Sequence, residues 1–329
     1  MGRSSFSIGT ASAEAGTRAF GVLELGELAY GTKIAAPVIL VNGAQPGPRL
    51  LIVGGVHGEE VTGVEAVKRV ATEIDPKKLR GILVGIPCVN IPAALTMSRL
   101  SEFDPPWPLS QDLNRVFPGK PNGSLVERIA HILFDVALKS DYVIDLHSGT
   151  KHDWMCPHVR MIPEDLPVSE EVRGKALAMC KAWGTEVIRY TKEVQFGRGE
   201  FLYEVALRGI PIIDLDSGTA NRLGEVGTST RGVRNVMKHL NMIDGKPEVP
   251  DTYYIARRYE IMACNHGGML HLHVKPQEKV VKGRLLAHIT NLYNETIEEI
   301  SAPFDGLVFI LRVSAIVKTG DYALVLVAP

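Results

Sequence analysis

Apolar residues follow two alternating patterns over the first two thirds of the chain. Continuous apolar runs, typical of buried strands, occur at 50–55, 81–87, 142–147 and 210–216. Apolar residues at helical spacing occur at 59–74, 125–138 and 172–183. Strands that alternate with helices of this length indicate an α/β fold, with a largely parallel central sheet flanked by helices. Such a sheet binds its ligands at the carboxyl ends of its strands.

Strand-like patterns occupy both ends of the chain. Residues 1 to about 45 alternate apolar and polar positions and contain many glycines, which predicts antiparallel strands at a sheet edge. After Lys246-Pro-Glu-Val-Pro the helical pattern stops, and short apolar runs follow with glycine-containing turns. A length of 329 residues is comfortable for two domains. We therefore predict one domain at 1–247 and a small, β-rich domain at 248–329.

Composition and charge narrow the class of protein. Hydrophobic residues make up 45% of the chain and charged residues 22%, as in a globular protein with a large core. A formal net charge of -1 argues against nucleic acid or an anionic membrane as a partner. The four cysteines are scattered without a CxxC pair, and neither a signal-like start nor eighteen consecutive apolar residues is present. We therefore expect a cytoplasmic protein.

Two short motifs carry candidate metal ligands. His57 and Glu60 are three residues apart in Gly54-Gly-Val-His-Gly-Glu-Glu, where a strand gives way to a helix. His147 ends the apolar strand of Asp145-Leu-His-Ser-Gly. Two histidines and one carboxylate are the ligand set of hydrolytic zinc sites, and a nearby aspartate would orient one histidine. The alternatives are a glutamate that stabilises a helix N-terminus, an ordinary loop histidine and a core histidine.

These residues resemble the succinylglutamate desuccinylase and aspartoacylase family, which is related to the zinc carboxypeptidases. The resemblance covers most of residues 45–325 and rests on the His-Gly-x-Glu and Asp-Leu-His motifs in this order and spacing. It implies a zinc-carboxypeptidase-like fold, with a mixed, largely parallel sheet flanked by helices. It also implies one zinc ion per chain, bound by His57, Glu60 and His147. The implied activity is hydrolysis of the amide bond of a small N-acyl amino acid or related compound.

The resemblance also implies roles for a second group of residues. In Asp112-Leu-Asn-Arg, Asn114 and Arg115 would bind the carboxylate of the substrate, a task that suits the planar fork of arginine. Arg99 would polarise the scissile carbonyl and stabilise the oxyanion. The alternatives are a salt bridge for Arg115 and an exposed loop charge for Arg99.

The sequence departs from the family at the general base. The family places a glutamate after a Gly-Ile-Pro turn, and this chain has Asp216 there, in Gly209-Ile-Pro-Ile-Ile-Asp-Leu-Asp. Asp214, two residues earlier on the same strand face, and Glu225, in the following loop, are alternatives. The departure leaves two other functions open: a zinc carboxypeptidase that acts on peptides, and a binding protein that has lost turnover.

The remaining motifs lie outside the stretches that contain His57, Asn114 and His147. The segment 248–329 resembles a small barrel of the biotinyl and lipoyl carrier type but lacks a lysine in a Met-Lys-Met setting, so we expect a structural lid or interface. His271 and His273 share a strand face, where ring stacking is the expected arrangement and a second metal site is the alternative. His152, Cys156 and His158 cluster after the Asp145 motif, where we expect loop packing; the alternatives are residues that line the pocket or bind a second ion. We also expect a homo-oligomer.

Overall fold

The computed structural model of this chain describes residues 5–104, 110–190 and 198–329. Strands β1–β10 are Phe6–Ile8, Ala11–Ala13, Thr17–Glu27, Lys33–Asn42, Gln45–Gly54, Arg80–Ile86, Tyr142–Leu146, Asp153–Arg160, Val187–Arg189 and Ile212–Gly218. Strands β11–β19 are Tyr254–Ala256, Arg258–Ala263, Gly268–Leu272, Lys279–Val280, Leu285–Thr290, Thr296–Ser301, Gly306–Arg312, Ile316–Val317 and Tyr322–Ala328. Helices α1–α6 are Val61–Glu73, Ile91–Leu95, Leu125–Ala137, Glu170–Trp183, Phe201–Ala206 and Val226–His239. Among these helices, none is both long and apolar enough to cross a membrane.

Four parallel strands form the centre of the large sheet. Their order is β6, β5, β7, β10, and all three neighbouring pairs are parallel. The apolar run of β5 is buried along its length because both faces of the strand are covered. Parallel neighbours need crossover connections, and α1 and α3 lie in the chain segments that supply two of them. The α/β fold predicted from the alternating pattern is confirmed.

Antiparallel strands extend this centre on both sides. β4 and then β3 lie outside β6, so the glycine-rich amino-terminal region forms the predicted sheet edge. On the other side, β8 pairs antiparallel with β10, and β17, β19 and β12 follow. The sheet is therefore mixed, and the predicted parallel arrangement describes its central strands.

The carboxyl-terminal strands are antiparallel and β-rich, as predicted, and they belong to two sheets. β17 pairs with β8 through Ile310 opposite Met155, which joins the segment to the large sheet. β16, β15, β13 and β18 form a separate four-stranded sheet. Leu286 of β15 shares an apolar cluster with Val308 and Leu324, so the two sheets pack on one another. The boundary at 247/248 as a division between independent domains stays a prediction.

β8 lies where the sequence pattern indicated a loop. The strand carries Pro157 and several polar residues, which sequence rules take as evidence against a strand. β10 pairs antiparallel along one side of β8. On the other side, β17 pairs antiparallel with its first half and β9 pairs parallel with residues 158–160. The side chains of His158 and Arg160 line a pocket, so β8 brings these two residues to the candidate site.

Candidate active site

The three predicted metal ligands meet at the carboxyl ends of neighbouring parallel strands. His57 follows β5, Glu60 directly precedes α1, and His147 follows β7. All three side chains are buried. In the part of the chain that the structure describes, they are the one group of three His, Cys, Asp or Glu residues whose ligand atoms lie close enough to hold a metal ion. Burial of three ionisable groups at one point favours a bound cation.

The distances within this group suit a tetrahedral ion. The two Nδ1 atoms of His57 and His147 are 3.2 Å apart. The Glu60 carboxylate lies 2.7 Å from Nδ1 of His57 and 2.8 Å from Nδ1 of His147. In a tetrahedral zinc site with bonds of about 2.0–2.1 Å, two ligand atoms lie roughly 3.3 Å apart. The donors and their spacing therefore fit zinc.

Two outer carboxylates fix the proton on each imidazole. Asp145 lies 2.9 Å from Nε2 of His147, and Asp112 lies 3.3 Å from Nε2 of His57. A carboxylate accepts the Nε2 proton, which leaves the Nδ1 lone pair for a metal. Asp145 has the orienting role expected from the sequence. Asp112 was missed, because its contact with His57 spans 55 residues of sequence.

The electrostatics of the group favour a central positive charge. Burial raises the pKa of Glu60, but His57 and His147 outweigh burial and hold that pKa below its usual range. Burial lowers the pKa of His147, and Asp145 and Glu60 outweigh it and raise that pKa well above its usual value. Without a metal ion, the neighbouring carboxylates keep a proton on His147. A bound divalent cation would displace that proton.

The ligand loop is held in place by close packing against α2. The Nδ2 atom of Asn90 donates a hydrogen bond to the carbonyl of Val56 at 2.9 Å, and its Oδ1 accepts one from the backbone N–H of Ala93. A Cβ atom on Gly58 would lie 2.1 Å from the carbonyl carbon of Ala93. Glycine is required at this position because the backbones of the loop and α2 touch.

Gly58→Ala should weaken metal binding by at least about tenfold, because the loop must move away from α2 and take His57 and Glu60 with it. Competition between the protein and a fluorescent chelator measures this affinity. Gly174→Ala in α4 is the matched control, since a Cβ there meets nothing within 4 Å. The control should bind metal normally and gain about 0.5–1 kcal/mol of stability. Equal metal affinities for the two variants would contradict the packing argument.

Arg99 lies at the rim of the metal-ligand group. Its Nε donates to the Asp112 carboxylate at 3.1 Å, and its Nη1 is 3.7 Å from the Glu60 carboxylate. Burial lowers the pKa of Arg99, but Asp112 and Glu60 outweigh it and raise that pKa, so the guanidinium is charged. The structure thus brings Arg99 beside the ligands, and its side chain is about a third exposed toward the pocket.

Asn114 and Arg115 also line this pocket. The Oδ1 atom of Asn114 accepts a hydrogen bond from the backbone N–H of Phe201 at 2.8 Å, which fixes the start of α5. The Nη1 atom of Arg115 donates to the carbonyl of Asn114 and lies 3.6 Å from the Glu200 carboxylate. Asn114 is therefore held by the fold, whereas the guanidinium of Arg115 is partly exposed to a ligand.

The three candidate general bases, Asp214, Asp216 and Glu225, have different surroundings in the structure. Asp214 accepts a hydrogen bond from Nε of Arg160 at 2.7 Å, and Arg160 also contacts Glu200 at 2.6 Å. Glu225 accepts from the Thr228 hydroxyl at the start of α6 and is not part of the pocket lining described by the structure. Asp214 and Asp216 both line the pocket, but no Arg or Lys in the described residues pairs with Asp216 within 4 Å. Asp216 is thus the carboxylate with a free approach to the pocket.

Burial acts on both strand carboxylates. It raises the pKa of Asp214 to about 6 against the opposing effect of Arg160. It also raises the pKa of Asp216, against the opposing effects of His147 and Arg160. A carboxylate with a raised pKa accepts a proton from water more readily than an ordinary one.

Comparison with known proteins agrees with this geometry. Residues 46–240 match the succinylglutamate desuccinylase/aspartoacylase catalytic domain. The chain belongs to this family. It is 30% identical over 310 residues to the N-alpha-acetyl-L-2,4-diaminobutyric acid deacetylase of Halomonas elongata, covering 90% of this chain and 86% of that protein. Family membership places the chain among hydrolytic deacylases.

Solved structures show the same fold over nearly the whole chain. The succinylglutamate desuccinylase/aspartoacylase of Rhodobacter sphaeroides has a TM-score of 0.83 and 25% identity, covering 94% of this chain and 95% of that one. The product-bound ectoine utilization protein EutE (DoeB) of Ruegeria pomeroyi has a TM-score of 0.82 and 23% identity, with 95% of each chain covered. The carboxyl-terminal strands are included in both matches, since coverage exceeds the length of residues 1–247.

In this member of the family, the carboxyl-terminal segment helps to build the pocket. The cavity has a volume of about 160 Å³. Tyr259 of β12 and Phe309 and Ile310 of β17 line it together with Met155 of β8. These side chains give the pocket an apolar wall in addition to its charged residues. A segment expected to be a lid or interface thus contributes directly to the candidate site.

The other histidines that the sequence singled out lie in different surroundings. His158 of β8 is buried and lines the pocket, whereas His152 is exposed and the buried Cys156 is not part of the lining. On the four-stranded sheet, the ring of His271 stacks on that of His288 with an interplanar angle of 9°. Stacking is the arrangement expected for this face, and Nε2 of His273 also lies 2.7 Å from Nδ1 of His288.

Proposed function

We propose that this chain is a zinc-dependent deacylase that hydrolyses the amide bond of a small N-acyl amino acid or related compound. The observation that carries the proposal is the convergence of two Nδ1 atoms and one carboxylate within 3.2 Å of one another, beside Asp216 and Arg99. Its metal ligands would be His57, Glu60 and His147, with one zinc ion per chain. The deacetylase relative supports the substrate class.

Zinc, when bound, supplies Lewis acidity that lowers the pKa of a water molecule and polarises the scissile carbonyl. The carboxylate of Asp216 takes a proton from the attacking water and later gives it to the leaving amine. Arg99 places a guanidinium beside the point where negative charge develops on the carbonyl oxygen. Asp112 holds that guanidinium and His57 in fixed orientations through one carboxylate.

The two sides of the pocket suit the two parts of such a substrate. Arg115 would bind the carboxylate of the amino acid through its planar fork, and Asn114 would support it. The apolar wall of Met155, Phe309 and Ile310 would contact a short acyl chain. A cavity of about 160 Å³ closed partly by β12 and β17 favours a compact substrate over a peptide. We therefore prefer the deacylase to the carboxypeptidase.

A panel of N-acyl amino acids tests the proposal. Acetyl and succinyl derivatives of aspartate, glutamate, ornithine and 2,4-diaminobutyrate, each incubated with zinc-loaded protein, should include at least one that releases free amine. Elemental analysis should find one zinc per chain, and His57→Ala should lose both metal and turnover. Zinc binding together with no hydrolysis of any compound would instead indicate a binding protein. Faster cleavage of peptides than of acyl amino acids would indicate a carboxypeptidase.

Arg115→Lys should raise KM for carboxylate-bearing substrates by about tenfold and leave kcat within a few-fold. Lysine keeps the charge but loses the bidentate geometry, so the loss falls on substrate binding. Esterification or amidation of the substrate carboxylate provides the control, because it should remove the difference between the two proteins. An unchanged KM would argue against Arg115 as the carboxylate ligand.

The subunit arrangement is part of the same proposal. We propose a homo-oligomer located in the cytoplasm. Light scattering during size-exclusion chromatography of the full chain measures its mass, and a mass of 35.9 kDa would indicate a monomer instead.

A further inference from the structure

His158 is placed directly opposite the proposed base. It lies on β8 at the position that pairs with Asp216 of β10. Its Nε2 atom is 3.6 Å from Oδ2 of Asp216, and this buried atom has no hydrogen-bond partner in the described structure. The ring is held by Phe309, with ring centroids 4.4 Å apart. A buried polar atom without a partner, aimed at a catalytic carboxylate, calls for an explanation.

The backbone fixes which nitrogen of His158 carries the proton. Nδ1 lies 2.8 Å from the carbonyl oxygen of Cys156, and a carbonyl only accepts hydrogen bonds. Nδ1 must therefore be the donor. Burial and then Arg189 lower the pKa of His158 to about 3, so the ring is neutral. A neutral ring with its proton on Nδ1 presents a lone pair at Nε2.

A lone pair of His158 thus faces a carboxylate oxygen of Asp216. Two acceptors at this distance have no attraction for each other, but one proton between them makes a hydrogen bond. We propose that His158 is a positioning residue whose Nε2 accepts a hydrogen bond from Asp216 once that carboxyl group has taken up the proton of the attacking water. This inference rests on the deacylase function proposed above.

The proton balance of the step is simple. An O–H bond of water breaks, the electron pair stays on the oxygen that attacks the carbonyl carbon, and the proton moves to Asp216. The carboxyl torsion χ2 is soft, so a small rotation brings the O–H toward Nε2. His158 gains and loses no proton. When the C–N bond breaks, Asp216 gives the proton to the amine and the carboxylate is restored.

The strand pairing gives the protonated form of Asp216 a fixed partner. His158 supplies this partner from the adjacent strand, in a position set by β-sheet register. The lone pair stabilises the acid form of Asp216 without competing for its proton.

His158→Asn is the decisive variant. The Asn amide nitrogen occupies the place of Nδ1 and keeps the hydrogen bond to Cys156, but nothing remains at the place of Nε2. We expect kcat to fall about tenfold, the worth of one hydrogen bond, with KM and zinc content unchanged. The acid limb of the kcat profile should move to lower pH, because the protonated form of Asp216 is no longer favoured. The other charged groups that act on Asp216 remain: His147, Glu60, Arg160 and Arg189.

Two comparisons separate this role from a structural one. In an Asp216→Asn background, His158→Asn should cause no further loss of kcat, whereas independent effects would multiply. His158→Gln keeps an acceptor oxygen near the place of Nε2 and should retain more activity than His158→Asn. A tenfold loss with an unmoved acid limb, or a multiplied loss in the double variant, would overturn the inference.

A spectroscopic measurement tests the inference without turnover. The ¹⁵N spectrum of histidine-labelled, zinc-loaded protein should show His158 as a neutral ring with its proton on Nδ1 between pH 6 and 8. A cationic ring or a proton on Nε2 would overturn the inference even if His158→Asn fails to fold. Absence of turnover in the unmodified chain overturns the proposed function and this inference together. Turnover that His158→Asn leaves unchanged overturns the inference alone.

Discussion

Asp216→Asn should lower kcat by roughly a hundredfold or more, the usual worth of a positioned proton transfer. Asparagine matches aspartate in shape, so zinc content and melting temperature should stay near those of the unmodified protein. The amide cannot accept a proton from water, and the loss should therefore appear in kcat with little change in KM. Steady-state kinetics on the best substrate of the acyl amino acid panel measures it.

Asp214→Asn is the matched comparison, two residues away on the same strand. Its carboxylate is occupied by Arg160, so the substitution should reduce stability more than turnover. The opposite ranking, with near-native turnover in Asp216→Asn and a large loss in Asp214→Asn, would move the role of base to Asp214. Large losses in both variants would indicate that the two carboxylates act as a coupled pair.

Arg160→Met should cost about 3–5 kcal/mol of the free energy of unfolding. The guanidinium is buried between two buried carboxylates, at 2.5 Å from Asp214 and 2.6 Å from Glu200. Methionine fills much of the volume but leaves Asp214 without its cation and Glu200 with only the 3.6 Å contact to Arg115. Removal of one partner from a buried ion group is strongly destabilising. Chemical denaturation of the zinc-loaded proteins measures the difference.

Lys175→Met provides the control for charge removal. Lys175 pairs with Glu171 one helical turn away on the exposed face of α4, and such exposed pairs contribute little to the free energy of unfolding. The loss in Arg160→Met should also be smaller at pH 5 than at pH 8. Burial already raises the pKa of Asp214 to about 6, and without Arg160 it rises further, so the stranded carboxyl is neutral at low pH. Equal losses of unfolding free energy in Arg160→Met and Lys175→Met would contradict a stabilising role for the buried ion group around Arg160.

The central strands and the metal ligands could be predicted from the sequence because their signals are local. A continuous apolar run indicates a strand buried on both faces, and parallel strands bring their carboxyl ends to one edge. His57 and Glu60 follow one such run and His147 ends another, so sequence position alone predicted their proximity. The residue types then indicated the ion, since two imidazoles and one carboxylate suit zinc.

The supporting residues could not be predicted, because their contacts join segments that no local pattern connects. Asp112 reaches His57 across 55 residues, and Arg160 reaches Asp214 across 54. β8 contains Pro157 and charged side chains, and it is a strand because β10 pairs with it on one side and β17 and β9 pair with it on the other. Register with β10 then puts His158 opposite Asp216. Pairing energy between distant strands overrides local propensity here.

The assignment of the general base depends partly on the sequence and partly on the tertiary structure. Alternation along a strand puts Asp214 and Asp216 on one face, so the sequence determined that two carboxylates approach the metal ligands. Only the tertiary structure decided their surroundings, because Arg160 comes from β8 and occupies Asp214, while Asp216 faces the pocket. Side-chain type and strand period are properties of the chain itself, whereas the partner of each charge depends on which strands become neighbours.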